Sequence, residues 1–198
     1  MKEEIVPGEL VMVDQFIDRT RVRPCTFFED GVVGHVMFSD PVCETLRGAL
    51  LEAARAESIA HHDGGTYVCI EGPQFSTRAE SNFYRASLDA KVIGMTAIPE
   101  AKLAREAEMC YAMLAMGTDY DCWHEDEEDV SVEAVIAILK ANADLGNRVV
   151  QDVAERLPEA SDCDCHSAAR FAIITAPDAI TEQAKQRMST LYGHYFND

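Results

Sequence analysis

Residues 66–88 read TYVCIEGPQFSTRAESNFYRASL, and their order decides the fold. Thr66 to Ile70 is a short apolar run of β-branched and aromatic residues, the composition of a buried strand. Glu71 to Thr77 follows as a loop with small residues, an aromatic and two hydroxyls. Arg78 opens a helix that runs to about Leu88. Lys91 to Met95 is the next strand, and Pro99-Glu100 opens the next helix. That helix leads into a third strand, Cys110 to Met116. Strand, loop and helix thus recur three times between Thr66 and Asp121, the βαβ rhythm of a mostly parallel sheet flanked by helices. In one parallel sheet the three strand-end loops open on the same edge, where α/β proteins gather ligands. Those loops carry Phe75 and Ser76, then Met95 and Thr96, then Asp119 and Asp121.

The third loop, Thr118-Asp119-Tyr120-Asp121-Cys122-Trp123, runs into the acidic stretch Glu125 to Asp129. Two carboxylates at i and i+2 share a face if the extended geometry continues. The competing reading is a solvated acidic loop leading into the next helix. The convergence of three loops favours a site for Asp119 and Asp121 and leaves Glu125 to Asp129 to solvent.

Outward from this centre, Leu10 to Val13 is a short buried strand that ends at Asp14. Arg19, Arg21 and Arg23 alternate after it, either as an exposed edge or as an interface or anion-contacting segment. Turn and β-branched signals suggest a strand or hairpin arm between Phe27 and Phe38. Ser39-Asp40-Pro41 starts a helix that runs to about Ala60. His61 to Gly65 is a turn. Ser131 caps a helix whose stripe (Val132, Val135, Ile136, Leu139) continues past Gly146 to about Leu157, where Pro158 ends it. Cys163-x-Cys165-His166 could hold a metal, act as a redox pair or sit idle in a loop. Tetrahedral sites usually show Cys-x2–4-Cys and a second pair, so no metal is expected. Asp178 to Tyr192 is a terminal helix.

Composition narrows the function. The 198 residues suit one domain with a sizeable core. A net charge of −18 repels nucleic acid and anionic membranes. No apolar run approaches the roughly 20 residues of a membrane span. Seven scattered cysteines and no apolar leader argue for reduced thiols and a cytoplasmic location.

DQFIDRT (Asp14–Thr20), EGPQFSTRAES (Glu71–Ser81), MTAIPEAKLAREAEMCYA (Met95–Ala112), TDYDCW (Thr118–Trp123) and SVEAVI (Ser131–Ile136) together resemble the S-methyl-5'-thioadenosine phosphorylases of the trimeric purine nucleoside phosphorylase superfamily. The resemblance spans nearly the whole chain. It implies a phosphorylase/hydrolase-like α/β fold and a homotrimer that splits methylthioadenosine with phosphate as co-substrate and without a cofactor. It implies that Asp119 and Asp121 face the purine, one at N7 and one at the exocyclic amine. Phe75 would stack on the base, with Ser76 at its edge and Tyr120 among the substrate contacts. Met95 would pack under the ribose, and Thr96 would contact phosphate. Val132, Val135 and Ile136 would line a methylthio pocket, and DQFIDRT would lie near a subunit interface. In some relatives cysteines like Cys163 and Cys165 form disulfides.

The family's first strands and its glycine-rich and arginine-bearing phosphate loops have no counterpart before Met1. Met1 stands where relatives read Leu in a Gly-Ser-Leu-Lys/Arg-Glu-Glu segment. The expectation is a start placed at an internal methionine, or a true truncation that leaves the chain nearly inactive unless a second chain completes it. Two alternatives stay open: a purine nucleoside or methylthioinosine phosphorylase, and a non-catalytic subunit. Asp119 argues against a 6-oxopurine preference, since such sites more often place asparagine there.

Overall fold

The computed structural model describes residues 1–124, 132–157 and 163–196, with residues 132–135 as helical backbone only. Six strands and five helices alternate: β1 (Leu10–Val13), β2 (Gln15–Arg19), α1 (Glu44–Ala56), β3 (His61–Asp63), β4 (Thr66–Ile70), α2 (Arg78–Ser87), β5 (Val92–Gly94), α3 (Ala97–Glu106), β6 (Met113–Met116), α4 (Val132–Arg156) and α5 (Glu182–Tyr192). The strands form two three-stranded sheets, ordered β3-β1-β6 and β2-β4-β5. All described pairings are parallel except β1 with β6.

β1 is the centre of the core, and its sequence says why. Leu10, Val11, Met12 and Val13 are all fully buried, so the strand needs apolar residues on both faces. Val11 and Val13 point into a cluster with Tyr67, Ala97, Ile98 and Ala101. Leu10 and Met12 point the other way, against Leu50, Leu51 and Ala54 of α1 and Val149 and Val153 of α4. Each such side chain contributes about 1.5–3 kcal/mol relative to exposure.

The two sheets share one bent parallel ribbon. Leu10 pairs with His61 and Gln15 with Thr66, so the register of β1 on β3 carries straight into β2 on β4. The bend falls at Asp14 and Gly64-Gly65. Gly65 N–H donates to Asp14 Oδ1 at 3.0 Å. Gly64 has φ +74°, and a Cβ there would stand 2.6 Å from Asp14 Oδ2. Glycine is required on both counts.

Several sequence expectations change. His61–Asp63 is a strand, and only Gly64-Gly65 turns; this polar triplet is held by its register on β1 rather than by β propensity. Gln15–Arg19 is an edge strand, for the same reason. No hairpin arm forms between Phe27 and Phe38. That segment is loop with one bridge, Gly34 to Ile173, and Phe28 and Val32 are buried against α5 instead. α1 starts at Glu44 rather than at Ser39-Asp40-Pro41, because the Ser39 hydroxyl bonds Asp40 and no helical turn follows. α5 starts at Glu182, where the Thr181 side chain accepts from Ala184 N–H at 3.2 Å. β6 pairs antiparallel with β1, so the three loops do not leave one parallel sheet. Glu125–Asp129, Ser131, Pro158 and the side chains of Val132 and Val135 lie outside the described residues.

Candidate active site

The loops converge on one cleft even though their strands sit in two sheets. A cavity of about 240 Å³ is lined by Phe75, Ser76, Met95, Asp119 and Asp121, together with Met116 and Gly117 from the end of β6. That is near the lower end of the roughly 300–1,000 Å³ typical of ligand pockets, the scale of a heterocyclic base with part of a sugar.

The loop after β6 is built to hold its carboxylates. Asp119 Oδ1 accepts the Asp121 backbone N–H at 2.9 Å, and its Oδ2 accepts the Thr118 hydroxyl at 2.9 Å. This local turn puts Asp121 at φ +66°, which aspartate tolerates better than most residues. Asp121 Oδ2 accepts the Ser81 hydroxyl at 2.6 Å. Among the described residues Ser81 is the side chain that donates to Asp121. Tyr120 packs outside the cleft: its ring stacks on His124 at 4.7 Å and its hydroxyl donates to the Glu3 carbonyl. Trp123 is clamped beneath the Arg85 guanidinium at 3.8 Å.

α2 supplies the opposite wall. Thr77 and Glu80 form a reciprocal capping box, which fixes the N-cap of α2 directly after Ser76. Phe75 is 86% exposed at the cleft rim, an aromatic face without a packed partner. Ser76 Oγ is buried with no hydrogen-bond partner among the described residues. A buried hydroxyl left unpaired costs about 1–3 kcal/mol, so this one is suited to a ligand atom. Thr96 is exposed and makes no side-chain cap to α3; its side chain and backbone N–H instead meet the Tyr67 phenol.

Two residues that hold the site were missed in the sequence. Ser81 is fully buried on α2, and only the fold shows that it meets Asp121. Arg23 was visible only as the last of three alternating arginines. Its guanidinium turns inward and donates to the carbonyls of Ile70 (3.2 Å), Glu71 (2.9 Å), Met95 (2.5 Å) and Ile98. It also pairs with Glu71 Oε1 at 2.9 Å. The Arg21 backbone N–H and Arg23 hold the Glu71 carboxyl below the usual carboxylate range. One side chain thereby ties together the ends of β4 and β5, from which the loops of Phe75 and Met95 depart. Arg19 and Arg21 stay exposed and line an adjoining open cleft with Phe75 and Thr77. Ile136 is 45% exposed on α4 and does not line the base cleft.

Ser81→Ala is expected to loosen the Asp121 loop without unfolding the chain. The stability loss should be about 1 kcal/mol. Adenine affinity should fall more than thermal stability does, and Ser81→Thr, which keeps the hydroxyl, should recover part of it. Unchanged adenine affinity in Ser81→Ala, measured by calorimetry, would remove Ser81 from the site.

A paired-carboxylate loop facing an aromatic rim across a base-sized cleft, on a mixed α/β sheet, places the molecule among the nucleoside-processing α/β folds. The chain belongs to the phosphorylase superfamily, whose family model matches residues 1–155. It is 54% identical over 196 residues to the S-methyl-5'-thioadenosine phosphorylase of Geobacter sulfurreducens, covering 98% of this chain and 68% of that protein. The protein of the same name from Koribacter versatilis is 48% identical over 198 residues, 100% of this chain and 68% of its own length. The chain thus spans about two thirds of these relatives. The crystal structure of a methylthioadenosine phosphorylase from an antarctic soil metagenomic library superposes with a TM-score of 0.88 at 44% identity, over 96% of this chain and 67% of that one. The Schistosoma mansoni methylthioadenosine phosphorylase in complex with adenine superposes at 0.73 with 32% identity, over 78% and 61%.

Proposed function

We propose that this chain carries the base-recognition part of an enzyme that cleaves S-methyl-5'-thioadenosine with phosphate, giving adenine and 5-methylthioribose 1-phosphate. The observation that carries the reading is the convergence of Asp119, Asp121, Ser76 and Phe75 on one cleft. The leaving purine gains electron density as the glycosidic bond breaks. A hydrogen bond or proton at N7 then stabilises the transition state more than the ground state. Asp121, the more sheltered of the two carboxylates, takes that role. Asp119 accepts from the exocyclic amine, which favours a 6-amino over a 6-oxo base, because a carboxylate accepts from NH₂ and repels a carbonyl oxygen. Phe75 stacks on the base. Met95 packs under the ribose, and the Thr96 hydroxyl meets phosphate, the co-substrate. The reading needs no cofactor or resident metal, and it places the enzyme in the cytoplasm. It extends to a homotrimer with the edge strand β2 and the exposed Val22 near a subunit interface. The base side of the site is supported by geometry; Val132 and Val135 enter through the resemblance as the methylthio-side candidates.

The test is adenine release from methylthioadenosine and phosphate, with methylthioinosine and inosine as competitors. It is run on this polypeptide and on its fusion to the part of the Geobacter relative outside the matched region. Turnover with a clear 6-amino preference supports the proposal. Equal rates on inosine, or no turnover in either form together with no adenine binding, would defeat it.

A further inference from the structure

Far from the base cleft, four thiols that are remote in sequence meet. Cys43 precedes α1, Cys110 lies between α3 and β6, and Cys163 and Cys165 flank the start of a short 3-10 turn after α4. All seven cysteines are free. The Sγ atoms of these four lie within 4.8 Å of one another. Cys163 Sγ is 3.7 Å from Cys43 Sγ and 3.5 Å from Cys110 Sγ.

The geometry points to a tetrathiolate site for a soft divalent cation, zinc, held by Cys43, Cys110, Cys163 and Cys165. A zinc–sulfur bond of about 2.3 Å places tetrahedral thiolates about 3.8 Å apart, edge to edge. The two short contacts already match that edge, and a closure of about 1 Å brings the widest permitted separation to it. Cys163 contacts all three of the other thiols, so the sulfurs form one cluster in which no single couple stands apart. Cys43 and Cys165 are buried, as a closed structural site requires, and Cys110 and Cys163 are half-buried. Four thiolates around a dication leave a net charge of −2, and a guanidinium nitrogen of Arg105 lies 4.0 Å from Cys165 Sγ to offset it. An open cleft of about 440 Å³ reaches Cys43, Cys163 and Cys165 from solvent, which gives an ion a way in. Four sulfur donors select zinc over magnesium or calcium.

The consequence is mechanical. The site would join the start of α1 and the entry to β6 to the C-terminal segment, whose own core around Phe28, Met188 and Tyr192 is separate from that of the sheets. The sequence concealed it, because Cys163-x-Cys165 lacks the usual spacing and its partners stand far away along the chain.

The experiment uses the full chain, purified under reducing conditions. Zinc is counted against protein after release by a thiol-blocking mercurial, and the chelated chain is titrated with Co²⁺. The expected result is one zinc per chain, with Co²⁺ saturating at one equivalent and showing the intense visible bands of tetrahedral cobalt thiolate. Cys43→Ser should lose at least about tenfold in affinity, whereas the exposed Cys25→Ser should bind as the parent does. If Cys43→Ser does not fold, the parent titration and Cys165→His, which keeps a ligand, decide. Zinc-free protein with weak, octahedral cobalt spectra would overturn the proposal. So would Cys43–Cys110 or Cys163–Cys165 disulfides that persist in the reduced preparation, or full affinity in Cys43→Ser.

Discussion

Asp121→Asn is expected to lower kcat/KM for methylthioadenosine by about 10²-fold or more, the scale of a lost acid–base or transition-state hydrogen-bonding partner. The substitution isolates chemistry from folding. Residue 121 sits at φ +66°, where asparagine is at least as comfortable as aspartate. The asparagine Oδ1 can still accept the Ser81 hydroxyl that now reaches Oδ2. Thermal stability should therefore stay close to that of the parent while turnover falls. Asp121→Ala should lose as much activity and some stability too, because alanine is strained in the left-handed region and leaves the buried Ser81 hydroxyl unpaired. Glu127→Ala, in the acidic run outside the described residues, should leave turnover unchanged. The readout is adenine release at saturating and subsaturating substrate, paired with a melting curve for each variant. Near-parental kcat/KM in Asp121→Asn would show that Asp121 only shapes the loop. A comparable loss in Glu127→Ala would dissolve the division between site carboxylates and solvated ones.

The division was legible because it rests on local pattern. A strand, a Gly-Thr break and two aspartates flanking a tyrosine are read within a few residues, and the structure puts Asp119 and Asp121 on the cleft that receives Phe75 and Ser76. β4, α2, β5, α3 and α4 were legible for the same reason, since each carries its own period and breakers. The polar strands were not. His61–Asp63 and Gln15–Arg19 have no strong strand signal, and they are strands because the neighbouring ribbon extends through them. Nor could periodicity show that β6 would run antiparallel to β1, because strand direction depends on the route of the chain between the two strands and not on local pattern. The positioning residues were hidden in the same way. Ser81 looks like any polar residue in a first helical turn, Arg23 like any exposed arginine, and Cys43 and Cys110 like isolated core thiols. Their roles arise from contacts across long sequence separations, such as Ser81 with Asp121 and Arg23 with the Met95 carbonyl.

Gly94 shows how tightly the fold restricts the strand end behind the site. A Cβ added there would lie 2.0 Å from Tyr67 Oη and 2.8 Å from its Cζ. The neighbour cannot step aside easily. Tyr67 is 3% exposed, packs edge-on against Phe16 at 6.1 Å and belongs to the cluster under β1. Burial also pushes its phenol above the ordinary tyrosine range, so the hydroxyl remains a neutral donor and acceptor. Gly94→Ala is therefore expected to cost about 2–3 kcal/mol, at the upper end of overpacking losses. For a chain of this size that lowers the melting midpoint by about 4–12 °C. Tyr67→Phe alone should cost about 1 kcal/mol, since its oxygen accepts the long Thr96 N–H contact at 3.4 Å and also meets the Thr96 side chain and the Ala97 N–H. In the double variant the offending oxygen is gone, while Cζ still crowds the new methyl. Stability should recover only in part, and the cycle should show a favourable coupling of about 1 kcal/mol. Additive losses would mean that the backbone of β5 shifts instead of the ring. Activity separates the two responses, because a shift of β5 carries Met95 and Thr96 with it and lowers turnover beyond what the melting midpoint explains.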